Sequence, residues 1–315
     1  MKRRIVVALA AALTATAGLA SAADATKHPT MGEVLAAAKP SDWHALDPAN
    51  TLYLQLASGR VIIELAPQFA PQTVANIKTL VREKYFDGLE ILRVQDNYVA
   101  QWGDPNADDA KLRRSLGKAK AHVPAEFTVP LAKDFTFTPL PDRDGWAPQA
   151  GFVGDFPAAV DLQAHVAWPT HCYGTVGVGR DNAPDSGNGA ELYATIASSA
   201  RWLDRNITVA GRVVQGMELL SSLPRGHGDL GFYTKSEHPV LIKTVRLAVD
   251  VPEKDRAHLE VLRTDTPTFA ALVESRRNRQ DEWYKRPAGY IDVCSVPLPV
   301  RTISDATHAK WHSRS

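Results

Sequence analysis

The chain has 315 residues, 44% of them hydrophobic and 23% charged, which is enough apolar material for one large core or two small ones. Its 36 basic and 35 acidic residues leave a formal charge of +1, and no basic run carries interleaved aromatics. That balance argues against a nucleic-acid partner.

Residues 1–22 have the layout of a secretory signal peptide. Lys2, Arg3 and Arg4 form a basic start, an apolar stretch runs from Ile5 to Leu19, and Ala20-Ser21-Ala22 supplies a small-residue cleavage signal. The stretch is shorter and richer in Ala and Thr than the roughly 20 strongly apolar residues of a membrane span. Cleavage after Ala22 is therefore expected, giving a periplasmic or secreted protein with no membrane attachment afterwards. Cys172 and Cys294 are the two cysteines. In an oxidising compartment they make a disulfide candidate, with two separately buried thiols as the alternative.

Residues 23–49 read as a tether with one short helix, Met31 to Ala38, stopped by Lys39-Pro40. "TLYLQL" places Leu52, Leu54 and Leu56 on one strand face, and "GRVIIELAP" does the same for Val61, Ile63 and Leu65. The "ASGR" between them marks a hairpin. Pro71 suits the first turn of a helix, along which Val74, Ile77 and Val81 recur. "LEILRVQDNYVAQWGDP", residues 89–105, starts as an apolar strand but contains Arg93. Arginine is almost never fully buried unless paired, so Arg93 is either a solvated edge residue or a functional one.

Residues 105–170 are polar, with strand-like pieces at "EFTVPL" and "FTFTPL" and an irregular surface excursion at "RDGWAPQAGFVGDFP". "YGTVGVGRDNAPDSGNGAELYATIA" gives strand, loop, strand. "RWLDRNITVAGRVVQGMELLSSL" gives a tight turn, a strand from Ile207 to Val214 and a helix from Gln215 to Leu223. "HPVLIKTVRLAVDV" alternates cleanly, with Val245, Leu247 and Val249 on one side. Residues 50–252 form the main domain, and 253–315 a C-terminal extension. The extension holds a short strand, an amphipathic helix over 267–284 capped by Thr266, a further strand on a Pro-rich run, and a disordered tail from 303. Many short strands with few helices predict a mainly β closed sheet capped by helices.

No Gly-x-Ser-x-Gly elbow, Walker loop or His-Glu-x-x-His motif occurs. "THC", residues 170–172, has the chemistry of a metal-site seed but lacks a partner pair. Three blocks in order carry a positive signal: "IELAPQFAPQTVANIKTLVREKYFDG", "ILRVQDNYVAQWGD" and "GTVGVG…SGNGAELYATIASSARWLDRNITVAGRVVQGM". Over about residues 50–252 they resemble the cyclophilin-type peptidyl-prolyl cis–trans isomerases, in a bacterial exported branch.

The resemblance implies a closed eight-stranded antiparallel barrel with a helix at each end. It implies catalysis of X–Pro bond rotation in exported proteins, with no metal and no cofactor. The partners would be proline-containing segments of unfolded or exported chains, met by a monomer. The alternative is a weakly catalytic or non-catalytic proline-peptide-binding chaperone module of the cell envelope. Carried onto this chain, Arg93 takes the place of the catalytic arginine and Gln101 that of the glutamine on the substrate backbone. Tyr98, Val99 and Tyr193 fall in the proline pocket, and Trp202 and Leu203 on its rim. Ile207 stands where many members have histidine. Glu191 replaces a glutamine, Gly179 and Arg180 replace an Ala-Asn pair that meets the peptide, and Trp102 replaces a glycine.

Overall fold

In the computed structural model, residues 28–281 and 283–303 are described. The predicted leader, its cleavage point and the predicted tail beyond 303 lie outside them. The first elements are α1 (Met31–Ala36), β1 (Trp43–Ala45), β2 (Thr51–Gln55), β3 (Arg60–Leu65), α2 (Pro71–Arg82), β4 (Glu90–Val94) and β5 (Val99–Gly103). Next come β6 (Val129–Pro130), β7 (Thr138–Pro139), β8 (Gln149–Val153), β9 (Phe156–Asp161) and β10 (Val166–Pro169). The chain continues through β11 (Thr175–Val178), β12 (Leu192–Thr195), β13 (Val209–Gln215), α3 (Met217–Ser221) and β14 (Thr244–Leu247). It ends with β15 (Leu259–Leu262), α4 (Pro267–Arg277) and β16 (Val300–Thr302).

The predicted β2–β3 hairpin forms in the expected register, Leu52 opposite Ile63 and Leu54 opposite Val61. Helix α2 covers the sheet because Val74, Ile77, Leu80 and Val81 recur on one face and join the largest core. Pro71 opens it, and Glu126 accepts from the backbone N–H groups of Gln72 and Thr73 at 3.0 and 2.9 Å. A carboxylate there satisfies two orphan donors and complements the helix dipole.

Eight strands form one antiparallel sheet in the order β14-β2-β3-β13-β11-β12-β5-β4. This corrects the expectation of a closed barrel. The sheet is open, with β14 and β4 as its two edges and no ladder between them. The cause lies in residues 226–242, which occupy the outer edge of β4 before β14 begins. They make scattered bonds there: Gly226 N to Val94 O at 3.0 Å, Tyr233 N to Leu92 O at 3.0 Å, Ile91 N to Val240 O at 2.9 Å and Ile242 N to Leu89 O at 2.8 Å. Only isolated bridges result, Arg93 with Phe232 and Glu90 with Leu241. Covering an edge with a loop removes the exposed donors and acceptors without a continuous ladder.

Residues 105–170 are more ordered than their sequence suggests. They supply a five-stranded sheet in the order β6-β10-β9-β8-β7, and the predicted excursion contains β8 and the start of β9. The tether and the extension are likewise not separate appendages. Strand β1 pairs with β15, β15 with β16, and α1 packs on α4. Trp43, Phe152, Leu262 and Phe269 share a second core. A disulfide joins Cys172 to Cys294 across 122 residues, tying this module to the start of β11. Helix α4 ends at Arg277, short of the predicted 284.

Candidate functional site

The site follows from strand alternation. On β5, Ala100 and Trp102 enter the large core, so Val99, Gln101 and Gly103 face the other way. On β12, Leu192 and Ala194 enter the core and Tyr193 faces away; on β11, Val176 and Val178 do so and Gly177 faces away. Simple alternation would put Arg93 of β4 inside with Ile91. A register shift between Ile91 and Arg93 resets the strand, so that Ile91 and Val94 are core and Arg93 is half-buried on the outer face. Re-aiming a side chain is what a bulge does.

Cross-strand register then lines up one row. Arg93 stands opposite Gln101, Gln101 opposite Tyr193, Tyr193 opposite Gly177, and Gly177 opposite Val209. Five strands contribute one residue each. Gly177 is required by its neighbour: a Cβ there would lie 2.2 Å from the Tyr193 hydroxyl. The tyrosine ring therefore crosses β11 only because no side chain stands in its way. A second row on the same face holds Glu191 between Gly103 and Gly179, each of which would press a Cβ against it at 3.1 and 2.9 Å.

Arg93 is held by rings. Its guanidinium carbon lies 5.2 Å from the centre of the Tyr98 ring and 5.1 Å from that of Phe232. Tyr98 in turn stacks on Trp202 at 6.2 Å with 23° between planes. Asn97, in the left-handed region at φ 50°, makes the turn that presents Tyr98, a conformation asparagine tolerates. The Arg93 Nε–H is buried and has no hydrogen-bond partner among the described residues. A buried donor left unmatched is rare in folded proteins.

Gln101 donates through Nε2 to the Glu191 carboxylate. Burial raises the Glu191 carboxyl above its ordinary value, and the nearby Arg93 charge works against that rise.

Tyr193 is buried, and its hydroxyl bonds to His171 Nε2 at 3.0 Å. His171, fully buried, has its Nδ1 3.1 Å from Asp204 Oδ1, which also accepts from the His171 backbone N–H at 3.0 Å. Asp204 and Asp144 both bind the buried Arg201. Burial works to raise Asp204, but the His171 hydrogen bond and the Arg201 charge hold its carboxyl below the ordinary value. With Asp204 accepting at Nδ1, the arrangement assigns His171 a proton on Nδ1 and a Tyr193 donor at Nε2. Burial pushes the Tyr193 hydroxyl well above its usual pKa, so it stays a donor.

The expected residues thus fall into two groups. Arg93, Tyr98, Val99, Gln101, Glu191, Tyr193, Gly179 and Trp202 are brought to one face. Leu203 and Ile207 are half-buried. Arg180 is turned to its own loop, donating to the carbonyls of Asn206, Asp181 and Asn182 at 3.0, 2.6 and 3.4 Å. Trp102 is in the core and not on the outer face, so its bulk does not reshape that face. Sequence reasoning missed His171, which stood out only as part of "THC", and Phe232, which sits in the aperiodic segment "RGHGDLGFYTKSEHP". Among the described residues, no group of three or more His, Cys, Asp or Glu is placed to hold a metal ion, and no helix is long and apolar enough to cross a membrane.

The family model described as "Cyclophilin type peptidyl-prolyl cis-trans isomerase/CLD" matches residues 51–247, more than half of the chain. A curated "Probable peptidyl-prolyl cis-trans isomerase" of Brucella suis is 29% identical over 185 residues, covering 58% of this chain and 75% of that protein. The "Peptidyl-prolyl cis-trans isomerase-like 1" of Homo sapiens is 26% identical over 187 residues, covering 59% and 84%. Among solved structures, the cyclophilin AquaCyp293 from Hirschia baltica is similar with a TM-score of 0.67 and 28% identity, covering 88% of this chain and 99% of that one.

Proposed function

The chain belongs to the cyclophilin-type peptidyl-prolyl cis–trans isomerase family, and from that premise we propose that it rotates X–Pro bonds in exported proteins, with Arg93 as the catalytic donor. It is an enzyme of the isomerase class. The finer reading, of site residues and of exported substrates, rests on the geometry and on the leader-like first 22 residues.

Amide resonance opposes rotation with a barrier of about 18–20 kcal/mol. No bond is cleaved, so the enzyme needs no nucleophile. It must hold the proline ring while the preceding carbonyl swings, and it must favour the twisted state. In that state the prolyl nitrogen becomes pyramidal and gains a lone pair. A donor placed there binds the transition state better than either ground state, which is the condition for catalysis.

The observation that carries the assignment is the Arg93 guanidinium, half-buried on the outer face and fixed between two aromatic rings, with an Nε–H that has no acceptor among the described residues. Tyr98 offers apolar surface beside it, and the buried Val99 and Tyr193 lie behind it on the same face, Tyr193 with its hydroxyl already bonded to His171. Gln101, one strand over, has its amide nitrogen on Glu191, which leaves its carbonyl oxygen as an acceptor for a peptide N–H. Trp202, stacked on Tyr98, and Gly179, against Glu191, border this face, and Leu203 follows Trp202 in the chain.

Export supplies the substrate class: unfolded chains newly arrived in an oxidising compartment. The Cys172–Cys294 bond suits such a compartment. The test is to isolate the protein from the cell envelope fraction and sequence its N-terminus. The reading expects a start at Ala23 and faster refolding of an exported protein limited by proline isomerisation. Retention of residues 1–22 in a cytoplasmic protein would overturn the export reading.

A further inference from the structure

Phe232 comes from the segment between α3 and β14, outside the motifs on which the site reading rests. Its ring nevertheless completes a continuous stack drawn from four parts of the chain: Trp202 on Tyr98, Tyr98 on Arg93, and Arg93 on Phe232. Phe232 is 38% exposed, so its position is not explained by core packing.

The segment that delivers it is built with care. Gly228 N donates to Phe232 O at 2.9 Å and Phe232 N to Asp229 O at 3.1 Å, closing a tight loop. Leu230 is in the left-handed region at φ 54°, a conformation that bulky residues avoid. Gly231, at φ 76°, presses so close to β4 that a Cβ would lie 2.7 Å from Gln95 Cα. The Glu237 carboxylate ties the loop base, accepting from Thr234 N at 2.7 Å and bonding His227 Nδ1 at 2.8 Å. The loop joins β4 through Tyr233 N to Leu92 O and through the Arg93–Phe232 bridge. Strain of this kind persists only where surrounding structure imposes it, and it gathers at working sites.

The choice of partner matters for the chemistry. A carboxylate would fix a guanidinium by taking up its N–H groups. An aromatic face fixes the same plane by cation–π attraction and leaves every N–H free. Such a clamp is compatible with the unpaired Nε–H of Arg93.

We propose that Phe232 is a positioning residue of the isomerase reaction: with Tyr98 it holds the plane of the Arg93 guanidinium in place without taking up any of its N–H groups. The proposal rests on the catalytic reading of Arg93.

The test measures isomerisation of a proline tetrapeptide by exchange spectroscopy, using the whole protein and its Phe232→Leu, Phe232→Tyr and Arg93→Ala variants. The Arg93 Nε–H resonance is followed in parallel. In Phe232→Leu, kcat is expected to fall about tenfold with KM little changed, and the Arg93 Nε–H resonance to move as one ring current is lost. Phe232→Tyr restores both, and thermal melting of both variants stays near that of the parent. Unchanged kcat in Phe232→Leu, a loss confined to KM, or failure of Phe232→Tyr to rescue overturns the clamp. If Arg93→Ala is inactive while Phe232→Leu is fully active, only the clamp fails. If Arg93→Ala is fully active, the underlying catalytic reading fails with it.

Discussion

The two faces of β5 do different work within five residues. Ala100 and Trp102 enter a core shared with α2, and Val99, Gln101 and Gly103 take the outer face with Arg93 and Tyr193. The inner face has apolar side chains and stabilises the fold through burial. The outer face carries a donor unpaired among the described residues, a carboxyl raised by burial, and glycines that make room for larger neighbours. Period-two alternation lets one strand serve both without compromise. The contrast also accounts for Trp102, whose bulk belongs to the core and not to the outer face.

That contrast predicts distinct failures. Trp102→Ala removes a fully buried side chain and should cost about 3–5 kcal/mol in urea unfolding, with little change in peptide affinity of the folded fraction. Reduction of Cys172–Cys294 touches neither face of β5. It should lower stability by about 2–5 kcal/mol, as seen by melting with and without reductant. Tyr193→Phe lies on the outer face but leaves the ring in place. It strands His171 Nε2 and should cost about 1–3 kcal/mol in stability while isomerase activity stays near that of the parent.

The smallest effect is one of pH. Burial raises the Glu191 carboxyl in the fold, so the native state holds its proton where the unfolded chain, at its ordinary 4.5, has released it. Stability from this group is therefore full below 4.5 and is lost as pH rises through that value toward the raised one. Glu191→Gln should flatten this slope in unfolding experiments run across mildly acidic pH.

Much of the outer row is legible in sequence because it is carried by spacing. Arg93, Val99, Gln101 and Tyr193 sit at motif positions, and register places Arg93, Gln101 and Tyr193 side by side. The β2–β3 hairpin and α2 are legible for the same reason: their patterns are local. Closure of the sheet was not, since it depends on whether residues 226–242 or β14 meet β4, a contact between segments more than 130 residues apart. The five-stranded sheet was hidden by strands as short as Val129–Pro130 and Thr138–Pro139, which offer no periodicity. Phe232 gave no signal, and His171 only that of "THC", because their roles come only from the partners that folding brings, Arg93 and Tyr193.

The central claim is that Arg93 stabilises the twisted amide and not the bound peptide. The direct measurement is the interconversion rate of a bound proline tetrapeptide, taken together with its Kd, in the parent and in Arg93→Ala. The account predicts a fall of about a hundredfold in rate with Kd little altered, as expected for one lost transition-state donor. An Arg93→Ala protein that interconverts the peptide at the parental rate would contradict it.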